Sequence, residues 1–385
     1  MLDVALLCPV NPFEPLDGHR MAVASDVNAI LDNNLGLGVL TFLHDRQKPT
    51  VVTHCEARYF SVRRGPFAIR LLRGLVGSVP PSSERLYTKD SIAGVRRALQ
   101  EWKPGFVIVD DVSMAGYMPH IRDTAPGAKV ILRTHNVMHD VRHEQLERSA
   151  GPSRLAIKLD CERYCQFEGA SLANADSHWA ITQADADRMT HIYRRPSQFL
   201  SVSIPVERYA NIRVPEGRDN HFVHVGTMDF RRRSDLASFL GRSWPKVRAA
   251  DAEAVLTFAG ALYGKRIHAP GVSYVGPVKD DADVYRQGRF ALNFQQSTGG
   301  VKLKTLTSLA AGRTLISTTH GIEGIPIVSG EHYWDMGMFL SNRLGDLLAD
   351  TAGLQTMANA GRAWVEERHS RKAVATQFLS LLQTV

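Results

Sequence analysis

Short apolar runs of strand length alternate with helix-length stretches along almost the whole chain, and this alternation restricts the fold more than any single motif. In the first half, residues 4–10, 38–43, 106–109, 129–133 and 179–182 read as strands, with helical patterns over 21–31, 92–102 and 183–192. A second series follows the proline-bearing connection at 203–206. Its strands are expected at 222–225, 255–259, 272–275, 290–294 and 314–317, and helices over 354–367 and 371–382 close the chain. Apolar strands that alternate with helices build parallel sheets covered on both faces. At 385 residues the chain exceeds one ordinary domain. The expected fold class is therefore α/β, with two Rossmann-like, doubly wound domains over residues 1–205 and 206–385 facing across a cleft.

Hydrophobic content of 44% and charged content of 22% are those of a soluble globular protein. No apolar run approaches the roughly 20 residues of a membrane span. Asp3 interrupts the apolar start, no basic segment precedes it, and the stretch reads as a first strand, not a signal peptide. Cys8, Cys55, Cys161 and Cys165 include no Cys-x-x-Cys pair and fit reduced thiols, so a cytoplasmic location is expected. Cys161 and Cys165 share a helix face. His139 and His143, also four apart and close to Asp140, form a conceivable zinc pair. Neither pair comes with the sequence context of a known metal motif, and no metal is expected.

The net charge of +7 points to an anionic partner: a nucleotide, a phospholipid surface or nucleic acid. No zinc-finger, helix-turn-helix or RNP-like pattern is present and aromatics are only 8%, so no nucleic-acid partner is expected. Phe67, Leu71 and Leu75 recur at helical spacing among Arg63, Arg64, Arg70 and Arg73. That segment reads either as a plain surface helix or as a contact with an anionic membrane.

Gly299 and Gly300, the helix that follows, Gly312 and the strand 314–317 form a second informative block. Glycines let a backbone approach a ligand closely, and the helix start offers unpaired N–H groups to an anion. Lys304 and Thr307 are three apart and share a helix face. A cation, a hydroxyl and free amides suit a diphosphate and a ribose; an ordinary glycine-capped helix is the other reading. Arg133-Thr134-His135-Asn136 ends a strand, where doubly wound sheets place ligand contacts, and His135 is suited to donate to a hydroxyl or phosphate. Arg231, Arg232 and Arg233 follow the first strand of the second series after Gly226 and Thr227. They are either solvated or aimed at an anion. Gly-x-Gly-x-x-Gly after the first strand, the P-loop pattern and Gly-x-Ser-x-Gly are all absent.

With these blocks in place the chain resembles, over essentially its whole length, the GT-B glycosyltransferases of the family 4 type found in bacterial surface-polysaccharide assembly. The resemblance rests on the loop from Pro9 to Gly18, Lys103-Pro104, the 133–136 block, Gly226 to Arg231, Gly271 to Gly276, and Gly300 to Gly324 with its Gly-Ile-Glu-Gly end. It implies retaining, metal-independent transfer of a sugar from a UDP- or GDP-sugar to a hydroxyl of a glycan or lipid-linked acceptor. It places the acceptor on the N-terminal domain, where the last helix would pack back, and the nucleotide on the C-terminal domain. His135 matches the histidine that contacts the sugar. Arg233 stands where the family has a phosphate-binding lysine, with Arg231 as a second candidate. Gly18, Gly299, Gly300 and Val301 would supply backbone at the diphosphate, with Lys304 as a catalytic cation and Thr227 and Thr307 at the nucleotide. The protein would work in the cytoplasm, at the inner face of the membrane if its acceptor is lipid-linked.

Two family glutamates are replaced here by Gly299 and Thr307, and Thr227 stands where many members have arginine. That departure keeps two alternatives open: a non-catalytic GT-B-like subunit of a polysaccharide-assembly complex, or a nucleotide-sugar epimerase.

Overall fold

The computed structural model describes residues 2–14, 17–44, 47–62, 77–151, 153–213, 220–296, 301–340 and 344–385, without the side chains of Ser153, Phe230 and Arg231. The arginine-rich stretch at 63–76 lies outside the described residues. The chain forms two compact units. One comprises Met1–Ser203 together with Arg371–Val385, and the other Ile204–Ser370.

The first unit holds β1 (Val4–Cys8), β2 (Leu37–Leu43), β3 (Glu56–Ser61), β4 (Phe106–Asp110), β5 (Lys129–Thr134), β6 (Ser177–Ala180) and β7 (Gln198–Phe199). They lie in the order β3-β2-β1-β4-β5-β6-β7, every pair parallel. Successive strand side chains point to opposite faces. Ala5 and Leu7 accordingly enter one core with Leu99 and Trp102, while Val4, Leu6 and Cys8 enter another with Val23, Val27 and Phe378. A sheet buried on both faces cannot alternate apolar with polar residues, which is why its central strands read as continuous apolar runs. The helix Arg371–Leu382 belongs to this unit. Val374, Phe378 and Leu382 join the β1 core, Arg371 pairs with Asp32 at 2.6 Å, and Asn33 Nδ2 donates to the Ala375 carbonyl at 2.8 Å.

The second unit repeats the scheme with β8 (His221–Val225), β9 (Val255–Ala259), β10 (Val272–Gly276), β11 (Phe290–Asn293), β12 (Thr314–Ser317) and β13 (Trp334–Asp335). Their order is β10-β9-β8-β11-β12-β13, again all parallel. In both sheets the winding reverses beside the first strand, between β1 and β4 and between β8 and β11. Doubly wound folds bind ligands at that point, outside the carboxyl ends of the strands.

Candidate active site

At the reversal point of the first unit, three side chains from three elements converge on one carboxylate. Asp110 ends β4, His135 follows β5, and His19 lies in the first turn of the helix Gly18–Asp32. His135 Nε2 is 2.7 Å from Asp110 Oδ2 and His19 Nε2 is 3.4 Å from Oδ1, with the two rings 4.9 Å apart. Asp110 is wholly buried and His135 nearly so. Facing an ionised carboxylate, both Nε2 atoms carry hydrogen and donate. Burial alone would raise the Asp110 carboxyl, but the two histidines hold it well below the usual carboxylate range. Burial also opposes charge on His19, but the hydrogen bond and charge of Asp110, reinforced by Asp111 and Asp17, lift it to about 9.

His135 Nδ1 is buried and has no hydrogen-bond partner among the described residues. A buried imidazole nitrogen left open at a strand end is suited to meet a ligand's polar atom. Beneath this cluster, buried Arg133 Nε donates to Asp26 Oδ2 at 3.0 Å and Nη1 donates to the Ala180 carbonyl at 2.8 Å. Asp111 takes φ +71°, and its carboxyl accepts from the Ser113 N–H, turning the chain sharply after Asp110. His19, Asp110 and His135 could by ligand type hold a divalent ion, since one atom from each lies within 4.8 Å of the others. In the present geometry, however, each carboxylate oxygen faces an imidazole instead.

The reversal point of the second unit is built differently. Gly226 follows β8 with φ +150°, and a Cβ there would sit 3.2 Å from Lys304 Nζ. Only glycine both adopts that backbone and leaves room for the ammonium. Lys304 comes from the first turn of the helix Leu303–Ala310, which Gly312 (φ +63°) ends before β12. His224, Arg232, Asp235, Phe294, Gln295 and Lys304 line a recess at this point. Buried His224 pairs Nδ1 with the Leu292 carbonyl at 2.8 Å, which makes Nδ1 the donor and leaves Nε2 a bare acceptor without a partner. Burial, with the nearby charge of Lys304, keeps this ring well below the usual histidine range. Burial likewise pushes the Lys304 ammonium down to about 7; Arg232 and Lys302 add to that shift, and Asp229 and Asp235 oppose it. Among the described residues, no carboxylate comes within ion-pair distance of Lys304.

Against this geometry the known proteins can be compared. Residues 219–350 match the family described as "Glycosyl transferases group 1". Sucrose-phosphate synthase from Thermosynechococcus elongatus superposes with a TM-score of 0.73 at 16% identity, covering 100% of this chain and 99% of that one. Anabaena HepE in complex with UDP superposes with a TM-score of 0.69 at 10% identity, covering 100% of both chains. The fold is GT-B. The apo lipopolysaccharide outer core galactosyltransferase WaaB is a further GT-B neighbour, with a TM-score of 0.64, 14% identity and coverage of 100% and 99%. A search by sequence against curated proteins gives no match.

Within the GT-B frame the residues singled out by sequence fall into three groups. His135 joins the first-unit cluster and Lys304 the second-unit recess, while Gly18 opens the helix that carries His19. Thr227 is exposed beside the recess and its carbonyl accepts from Arg232 Nη1 at 3.3 Å. Val301 packs on the second unit's core. Thr307 does not share an open face with Lys304. It is buried, with Oγ1 3.0 Å from the Tyr285 hydroxyl and donating to the Lys304 carbonyl at 3.2 Å. Arg233 points away from the recess, donating to the Tyr263 carbonyl at 3.4 Å with its guanidinium over Gly264, whereas Arg232 lines the recess. Gly299, Gly300 and the Arg231 side chain lie outside the described residues. His19, Asp110 and His224 are site residues that sequence reasoning did not single out, and Arg232 was named only within the run of three arginines. For Asp110 and His224, position at or near a strand's carboxyl end was the available signal.

Proposed function

We propose that this protein is a retaining glycosyltransferase that moves a sugar from a UDP- or GDP-sugar to a hydroxyl of a glycan or lipid-linked acceptor. The observation that carries this reading is the cationic recess of the second unit, where Lys304 is held partly desolvated, with no ion-pairing carboxylate among the described residues, and Arg232 stands beside it. A departing nucleoside diphosphate develops negative charge on its phosphate oxygens, and fixed cations in a partly desolvated site stabilise that charge without reorganising. The match to the glycosyl transferases group 1 family over residues 219–350 supports the reaction class. HepE, which has been crystallised with UDP-glucose, supports the donor class.

In the first unit His135, its Nε2–H committed to Asp110, offers Nδ1 to the donor sugar. Asp110 fixes the ring's orientation and keeps a proton on Nε2. In a retaining transfer where the leaving phosphate takes the acceptor's proton, the paired carboxylates of a glycosidase are not needed. Neither step calls for a metal. The likeness to WaaB, a galactosyltransferase of the lipopolysaccharide outer core, supports surface-polysaccharide synthesis as the context. Among the described residues no helix is long and apolar enough to cross a membrane. In this reading a lipid-linked acceptor would be met at the inner face of the membrane.

The replacement of both family glutamates, with the Thr307 hydroxyl turned toward Tyr285, favours the non-catalytic subunit as the second reading. Calorimetry of the purified chain against UDP, GDP, dTDP and their sugar conjugates tests both. Binding of one nucleotide family followed by sugar turnover supports the transferase. Binding without turnover of any matched donor favours the non-catalytic subunit, and no binding at millimolar concentration overturns the donor site itself.

A further inference from the structure

Two sequence pairs that look incomplete apart come together in the first unit. His139 and His143 lie one turn apart on the helix Met138–Glu147, and Cys165 lies on the helix Ser153–Asn174. One ligand atom from each of the three falls within 4.8 Å of the others, and the two imidazole rings are 4.5 Å apart. We infer that His139, His143 and Cys165 form a binding site for a borderline-soft divalent transition-metal ion of the zinc type. The inference does not rest on the proposed transferase activity.

The donor set is the first argument. Two imidazoles and one thiolate suit zinc and its neighbours and poorly suit magnesium or calcium, which take oxygen. Metal–ligand bonds of about 2.0–2.3 Å place tetrahedral ligands roughly 3.5 Å apart, so no pair in the cluster needs to close by much more than about an ångström. His143 is exposed and can supply that movement by rotating its side chain. The support around the ligands is the second argument. His139 Nδ1 is 2.9 Å from Asp140 Oδ1, which leaves Nε2 as the nitrogen without a partner among the described residues. Asp140 is itself clamped by Arg188 through two bonds of 2.8 Å. A carboxylate on the far nitrogen of a ligating histidine fixes the ring's tautomer and direction and raises its basicity.

The frame is held as well. Buried Glu168 accepts from the backbone N–H groups of Met138 and His139, both at 2.9 Å, and so ties the start of the first helix to the second. Arg142, the nearest cation on the same helix, is engaged elsewhere, with Asp160 at 3.5 Å and over the Tyr164 ring. Binding would displace the Cys165 thiol proton to solvent, leave the oxidation state of the ion unchanged, and keep one coordination position open to water.

The test uses the full chain stripped with a chelator and kept reduced, with Zn²⁺ followed by calorimetry and Co²⁺ by absorption. The expected result is one tight Zn²⁺ per chain and a near-ultraviolet thiolate-to-Co²⁺ charge-transfer band. Cys165→Ser should abolish the band, and His143→Ala should weaken Zn²⁺ binding at least tenfold. Asp140→Asn should weaken it about 10–100-fold, as loss of a partner behind a ligating histidine does elsewhere. His191→Ala, an exposed histidine outside the cluster, should leave both readouts unchanged. His143 is exposed, so its variant should fold, and an unchanged melting temperature checks that. Absence of the charge-transfer band, or Zn²⁺ affinity unaltered in both His143→Ala and Cys165→Ser, would overturn the site. So would a Zn²⁺ affinity that falls only with His135→Ala, which would place the metal in the His19–Asp110–His135 cluster.

Discussion

The two reversal points occupy equivalent places in equivalent sheets, yet they are prepared in opposite ways. In the first unit charged side chains face one another: Asp110 lies between two histidines, and below it Asp26 faces Arg133. In the second unit Lys304 and Arg232 line the recess together, and Lys304 lacks an ion-pairing carboxylate among the described residues. A prewired cluster keeps its geometry without a ligand. A site of under-neutralised cations is unfavourable when empty and gains most when an anion arrives. A fold used twice can therefore be prepared for orientation in one copy and for charge in the other.

The strongest way to break this contrast is to unpair a charge in the first unit. Asp26→Ala leaves the Arg133 guanidinium buried without its carboxylate and should cost about 3–5 kcal/mol, read as a lower urea midpoint at unchanged slope. An unchanged midpoint would mean that Arg133 is already neutralised by other groups. Next, His135→Ala should lower sugar turnover about 10²–10³-fold, the range for loss of one preorganised hydrogen-bonding group, while nucleotide affinity stays near that of the parent protein. Equal losses in both would move His135 from the sugar to the nucleotide.

In the second unit, Lys304→Met should weaken UDP or GDP binding by about 1.5–3 kcal/mol, the worth of a hydrogen bond to a charged group. With Lys304 free at about 7, an arriving diphosphate should draw a proton onto it. Affinity should then fall as pH rises above 7, with proton uptake visible by calorimetry in buffers of different ionisation enthalpy. A pH-independent affinity would show that Lys304 does not meet the phosphates.

The first unit should show a different profile. The folded His19 value of about 9 lies above its unfolded value near 6.5, so its contribution to stability is complete below pH 6.5 and is lost as pH rises through 9. Asp110, shifted down, contributes above about pH 4 and loses that contribution only in acid. Melting temperatures of the parent and Asp110→Asn should therefore converge toward pH 9. The smallest effect should come from Arg233→Ala, with affinity changed by less than about 1 kcal/mol because the side chain is turned to the Tyr263 carbonyl and does not line the recess, against a larger loss for Arg232→Ala. The reverse order would show that Arg233 swings into the recess when a nucleotide binds.

Much of the fold was legible because buried parallel strands write themselves as apolar runs: β9 and β12 coincide with the expected 255–259 and 314–317. β3 is a half-exposed edge strand with Glu56 and Arg58 in it, and β7 and β13 are two residues long, so none carries that signal. The helix Ser153–Asn174 was missed because its apolar residues are spread around its circumference. In the site, a strand end or a glycine turn pointed to His135 and Lys304 as candidates. The partners of His135 lie 25 and 116 residues away in sequence, at Asp110 and His19, and only the sheet order brings them together. The choice between Arg232 and Arg233 turns on helix phase, since neighbours in a helix point about 100° apart. Composition cannot decide that.

The return of Arg371–Leu382 to the first unit fixes an order of completion during biosynthesis. Val374, Phe378 and Leu382 cover Val4, Val23 and Val27, and Phe378 meets Trp179 edge-on at 5.5 Å. A ribosome emits the amino-terminal sheet first, but one of its faces, with the helix Gly18–Asp32 packed on it, stays partly uncovered until residues 371–382 emerge. The second unit, continuous from Ile204 to Ser370, can close before the unit that precedes it. The half-built species most exposed to aggregation is thus a nascent chain that already carries a finished second unit, and stalling before residue 371 should enrich it.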